Sequence, residues 1–419
     1  MTLPGFGGMD LVQFGARSEL LWRGQGRVLA GLGVARTITI HRPHGALAAQ
    51  AALAELQGPN ALPEVAGTGP VAFAAMPFDP NTPGTLIVPE MLLGEDEQGQ
   101  RWLSITSDGP PNPEAVLANI MTVDRRPLTA PGPHATWKLS SVLSPDQWRD
   151  QIVATVRDSI RADIQLNKVV LAREAAFEQS VPIDIARVLT TAADRFPSAN
   201  LFRVNGFIGA SPELLVSRNA TVVQAHPLAG TAPRSADPVQ DAAFADRLQN
   251  SLKDRGEHQI TIDWFLRELL PFCSYVDAEP EPSVVTIANV HHLGTLVEGV
   301  LSSPPASVLE LVAATHPTPA VGGDPQDVAL QMIDTHERAD RGRYAGPTGW
   351  VDAAGNGAFA VSVRSAEITD KRASVFAGVG VVADSDPQAE LDETRSKFQA
   401  MLGPLLSPWP DAEQAIADL

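Results

Sequence analysis

The turns in this chain constrain its fold most. In its second half, apolar runs over 201–208, 213–218 and 221–225 follow one another across connections of a few residues, the second at Asn219-Ala220. Parallel neighbours need a crossover of a dozen residues or more, so runs this close must pair antiparallel. The carboxyl-terminal part repeats the pattern with runs over 346–352, 358–368 and 373–382, the first two joined by a Gly-Asn turn near Gly355. Helical segments intervene. Ser144 is placed to cap one, Pro145 to begin it, and Trp148, Ile152, Val156 and Ile160 follow at four-residue spacing before a strand over 168–173. A second helical pattern covers 237–270, where Gly256 costs about 1 kcal/mol of helix propensity. Helices on antiparallel sheet define the α+β class.

The length of 419 residues suits one large domain or two to three ordinary ones. Lys and Arg total 31 against 49 Asp and Glu, a net charge of −18. Such a chain repels phosphate backbones and anionic lipid, which argues against nucleic acid and membrane and for a small-molecule partner. With Cys273 as its one cysteine, the chain forms no internal disulfide and no cysteine zinc cluster. The opening MTLPGFGGMDLVQF has no secretory pattern and no run of 18 apolar residues occurs, so a soluble cytoplasmic protein is expected. Runs at 71–76 and 85–93 suit short strands, and the Pro-rich stretch 107–133 reads as a domain boundary or a long surface loop.

Candidate chemistry concentrates towards the end. Asp386 and Pro387 open a helix whose apolar stripe is Leu391, Phe398 and Leu402, while Glu390, Glu393 and Lys397 share another face. That face is either a solvated, salt-bridged surface or a cation site, since Mg²⁺ is commonly held by one or two carboxylates plus substrate oxygens. Gly378-Val379-Gly380 lacks the full dinucleotide fingerprint; it marks a bulge, a tight packing position or backbone open to an anion. Lys168 heads the strand KVVLAR and Glu213 sits in SPELL. Both are surface residues unless buried, in which case desolvation lowers the basicity of the lysine and raises the pKa of the glutamate, making a base and an acid. His226, His258, His291, His292 and His316 lack the spacing of a helical zinc pair, and each alone reads as structural.

Nine ordered segments together resemble the chorismate-utilising enzymes, and among them the isochorismate synthase type. They are LNKVVLAR, GASPELLVSR, HPLAGTAPR, SLKDRGEH, HHLGT, HPTPAVGG, RYAGPTGW, AVSVRSAEI and GVGVVADSDPQAELDETRSK, spread over about 230 residues. The resemblance implies one large domain over 1–419, two large, mostly antiparallel sheets packed together with helices outside. Residues 1–140 would add strands, residues 141–405 would form the catalytic region, and 107–133 would be a loop. It implies that Lys168 activates water and Glu213 protonates a departing hydroxyl. Glu257 and Glu393, with Glu390 nearby, would hold Mg²⁺. Gly230, Thr231, Tyr344, Arg364, Gly378, Val379, Gly380 and Lys397 would hold the carboxylates of chorismate, with His292 near its ring. Lys168 argues for water over ammonia as nucleophile. Ala229 argues against the aminodeoxychorismate synthases, and Ala320-Val321 against salicylate synthase, the nearest rival. A non-catalytic chorismate-binding relative would have lost Lys168 or a metal glutamate, and none is missing. The expected state is a monomer.

Overall fold

The strand Lys168–Gln179 organises the larger sheet: ten of its twelve residues are buried, as expected where both faces of a strand are covered. Along one edge it pairs with Arg372–Val381 over ten register positions; along the other it meets Trp137–Ser141 and the short Gly323–Asp324. The computed structural model describes residues 8–41, 44–56, 58–163, 165–287, 290–409 and 412–419. Residues 1–7, part of the segment without a secretory pattern, lie outside that set. Among the described residues there are sheets of eleven, nine and three strands, every pairing antiparallel.

The two large sheets face each other across a core that includes Trp22, Leu29, Phe202 and Phe207 from one and Phe73, Trp350 and Ala360 from the other. Each such large side chain, fully buried, contributes about 1.5–3 kcal/mol. The outer face of the eleven-stranded sheet is covered by the helices Leu11–Arg17, Pro113–Asp124, Ile185–Arg195 and Pro387–Leu406. Strands from the first 140 residues join both sheets: Leu20–Gly24 pairs with Asn200–Val204, and Val71–Ala75 with Pro347–Asp352.

Several expected elements divide. The run 201–208 is a hairpin of Asn200–Val204 and Phe207–Ser211, turning at Asn205-Gly206 with Asn205 at φ 56°. The pattern 237–270 is two helices, Pro238–Asn250 and Leu252–Leu269. They part at Ser251, whose hydroxyl caps the second by accepting from Asp254 N at 3.2 Å; Gly256 lies unbroken inside it. The stretch 107–133 is not all loop, because Asn112 caps the helix Pro113–Asp124, which buries Val116, Ile120 and Val123. The run 85–93 splits between Gly84–Val88 and Met91–Asp96, in different sheets.

The divisions that matter most are two steps between sheets. Phe207–Ser211 belongs to the eleven-stranded sheet and Leu214–Asn219 to the nine-stranded one, leaving Pro212-Glu213 in the crossing. The run 358–368 likewise divides into Gly357–Val361 and Ser365–Thr369, and residues 362–364 cross back. The crossings are stitched together: Ser211 Oγ donates to Val361 O at 2.6 Å, and Val361 N donates to Glu213 O at 3.1 Å.

Candidate active site

Both crossings deliver a charged side chain to one cavity of about 250 Å³. Its wall combines the head of the Lys168–Gln179 strand, the end of Arg372–Val381, the three-stranded sheet and the first turns of the helices Leu252–Leu269 and Pro387–Leu406. Of the residues singled out from sequence, Lys168, Glu213, Gly230, Thr231, Glu257, His292, Tyr344, Arg364, Gly378, Gly380, Glu390, Glu393 and Lys397 all line it. Val379 does not. Strand alternation turns its side chain into the apolar core, where it is 1% exposed.

Lys168 and Val170 face the cavity from alternate positions of their strand. Lys168 is buried, and its Nζ donates to Glu257 Oε1 at 2.5 Å. The glycines opposite explain themselves by space. A Cβ on Gly380 would lie 2.5 Å from Lys168 Cε, and one on Gly378 would lie 3.0 Å from the Tyr344 hydroxyl. Both glycines are interior to a regular strand, so they make room for side chains and do not form a dinucleotide loop.

Glu213 is 5% exposed, and its Oε1 is buried without a hydrogen-bond partner. Burial pushes its carboxyl up to about 7, against a backbone hydrogen bond from Leu228 and the positive charges of Arg364, Lys168 and Lys397. The group therefore titrates near neutral pH, where a substantial fraction carries a proton. Arg364, in the other crossing, holds φ 56°, a left-handed conformation uncommon outside glycine. It stays there while its guanidinium faces the cavity; such strain clusters at functional sites.

Arg364 Nη2 lies 3.4 Å from His292 Nε2, while His292 Nδ1 lies 2.9 Å from the Gly230 carbonyl. A guanidinium only donates and a carbonyl only accepts, so the neutral tautomer with its proton on Nδ1 satisfies both. Burial, then the Arg364 charge, hold His292 down at about 3. Gly230 takes φ 68° where its strand shifts register, and any Cβ there would press to 3.2 Å on Asp254 Cβ. Three other histidines have structural partners: His258 meets Thr295 Oγ1 at 2.7 Å, His291 meets Asp241 and Thr286, and His316 meets the Phe78 carbonyl.

On the last helix, Asp386 caps as expected by accepting from Ala389 N, and Leu391, Phe398 and Leu402 are buried. Its charged face is half-buried and turned to the cavity. Lys397 Nζ donates to Glu393 Oε1 and to the Gly378 carbonyl, each at 2.7 Å. Burial pushes Glu393 up, but Lys397, Arg364 and Lys168 together bring it below its ordinary value. Burial likewise pushes Glu257 up and the adjacent Lys168 brings it down. Glu390 has a weaker counterweight, and burial above all carries it to about 7. Three carboxyl groups thus line one half-buried wall, and Glu257 and Glu390 each feel the charge of Glu393. Hard oxygen donors of this kind suit a divalent cation. Among the described residues no three acidic, cysteine or histidine side chains close around one point, so the remaining ligands would come from substrate or water.

Sequence reasoning missed four cavity residues that bear polar side chains: Lys253, Asp254, Arg341 and Ser385. Lys253 and Asp254 stand within SLKDRGEH, one turn ahead of Glu257, so helical spacing alone could have found them.

The profile of the family described as chorismate binding enzyme matches residues 11–406. Isochorismate synthase DhbC of Bacillus subtilis is 36% identical over 344 residues, covering 80% of each chain. The vibriobactin-specific isochorismate synthase of Vibrio cholerae is 34% identical over 338 residues, 80% of this chain and 78% of its own. The crystal structure of a Bacillus anthracis protein described as a 2,3-dihydroxybenzoate-specific isochorismate synthase superposes with a TM-score of 0.79 at 31% identity, covering 94% of this chain and 98% of that one.

Proposed function

The chain belongs to the chorismate binding enzymes, and from that premise we propose that it is an isochorismate synthase, an isomerase that adds water at C2 of chorismate and expels the C4 hydroxyl. Its product feeds siderophore or menaquinone biosynthesis. One observation carries the assignment of roles: Lys168 and Glu213 enter the same cavity from different elements, and Glu213 is a buried carboxyl, one oxygen without a partner, poised at about 7.

The chemistry asks for such a pair. As water bonds to C2, the ring double bonds shift and the C4–O bond breaks. One group accepts a proton from water, and another gives one to the departing hydroxyl. Glu213, in the protonated form that its raised pKa keeps available near neutral pH, donates to the C4 oxygen. Lys168 takes the water proton as a neutral amine, which requires that its ammonium first part from Glu257 and give up a proton. Arg364 and Lys397, with the backbone around Gly230 and Gly378, hold the two substrate carboxylates by charge and hydrogen bonding. Thr231 and Tyr344 supply hydroxyls on the same wall, and neutral His292 keeps Arg364 oriented.

Glu257 and Glu393, with Glu390 close by, would hold Mg²⁺. Bound there, the ion would supply a Lewis acid that withdraws electron density from the ring. Ala229 and Ala320 line the cavity and add no further nucleophile or acid, in keeping with a reaction that stops at isochorismate.

The test is to incubate the protein with chorismate and Mg²⁺ and to resolve the products by chromatography. Isochorismate without pyruvate is expected. Pyruvate release would move the assignment to salicylate synthase, and unchanged chorismate would reject both.

A further inference from the structure

Three lysines line the cavity, and two are neutralised: Lys168 by Glu257 and Lys397 by Glu393. The third, Lys253, is exposed and makes no ion pair or hydrogen bond among the described residues. It stands second in the helix Leu252–Leu269, immediately after the Ser251 cap, where the helix macrodipole disfavours a cation. It is one turn ahead of Glu257, and its charge is felt by both Glu257 and Glu390. Helix stability therefore does not account for the residue, and the two glutamates that feel its charge make no direct ion pair with it among the described residues.

The charge of the whole molecule supplies a reason. A chain of net charge −18 repels an approaching dianion. Once the ion pairs are subtracted, the cavity retains few uncompensated cations, and Arg364 lies inside it. Lys253 is the exposed one. We propose that Lys253 captures the dianionic substrate, meeting a carboxylate at the entrance and selecting for doubly charged ligands before the inner groups engage. This rests on the reading of chorismate as substrate. A rim charge acts on association and on its salt dependence more than on chemistry.

The test compares wild type with Lys253→Gln, Lys253→Glu and Lys253→Arg in kcat and KM across ionic strength. Because the side chain is exposed, folding is expected to survive each change. Lys253→Gln should lower kcat/KM about 10-fold at low salt, within the range of electrostatic steering, with the loss in KM. Lys253→Glu should lower it further, and Lys253→Arg should restore it. The dependence of kcat/KM on ionic strength should flatten in the glutamine variant. Calorimetric binding of chorismate to the same four proteins should rank them in the same order even without turnover. A kcat/KM for Lys253→Glu within twofold of wild type at low salt, or a loss confined to kcat, would overturn the proposal. A wild type that binds chorismate without converting it would count against the assigned reaction alone.

Discussion

Two buried ion pairs hang from the strand Lys168–Gln179, and they are built differently. Arg341 and Glu337 are 3% and 6% exposed and saturated with partners. Arg341 also donates to the Val321 and Val170 carbonyls and lies 4.2 Å above the Phe78 ring, while Glu337 accepts from Ala172 N. Together they extend the hydrogen-bond ladder of the strand beyond the point where Gly323–Asp324 stops. Lys168 and Glu257 are 10% and 25% exposed, face a cavity, and Lys168 has one hydrogen-bond partner among the described residues. A saturated pair is architecture, because removing a partner strands a charge. An unsaturated pair beside a cavity can exchange its partner for a ligand.

Mutation breaks or sharpens this contrast. The largest effect is expected at the unsaturated pair: Lys168→Ala should lower kcat by about 10²–10⁴, the range for a general base. It should leave the thermal midpoint and chorismate binding nearly unchanged, and near-normal turnover would refute the role. At the saturated pair the loss should move to stability. Arg341→Met should cost about 3–5 kcal/mol in denaturant unfolding, and replacing Glu337 by Leu as well should recover much of it. Equal stability of the single and double variants would contradict the distinction.

How far the site could be read in advance follows the same division. Residues on regular elements were legible: Asp386 and Pro387 announce the last helix, and Glu390, Glu393 and Lys397 share a face by spacing alone. Glu213 and Arg364 were not legible as chemistry, because periodicity describes strands and these residues occupy the gaps where the chain changes sheet. Only the family resemblance singled out Arg364, and Glu213 was named as an acid only on condition of a burial that periodicity does not supply. The hairpin at Asn205-Gly206 was the reverse case, since Asn-Gly between apolar runs is a strong local turn signal that the continuous run 201–208 overrode. Val379 was misplaced because a motif names consecutive residues, whereas a strand sends alternate side chains to opposite faces.

Smaller effects refine the contrast. Glu393→Gln should raise the Mg²⁺ concentration needed for half-maximal activity, and unchanged metal activation would count against its being a ligand. For Glu213 the sign is set by its raised pKa. As the acid it must be protonated, so kcat/KM should fall as pH rises through about 7. The same shift, upward from 4.5 to about 7, favours the protonated native state, so its contribution to stability is lost as pH rises across that window. Glu213→Gln should therefore melt higher than wild type at pH 8 but not at pH 4, and parallel melting curves at both pH values would remove the desolvated acid from the account.

The central claim is that this cavity adds water at C2 while protonating the departing C4 hydroxyl. Turnover of chorismate in ¹⁸O-labelled water, followed by mass spectrometry of the product, tests it most directly. The account predicts isochorismate carrying one solvent oxygen at C2, formed about 10²–10⁴ times more slowly by the Lys168→Ala protein despite bound substrate. Unlabelled isochorismate would mean that the hydroxyl migrates within the substrate, and would contradict the assignment of Lys168 as the group that activates water.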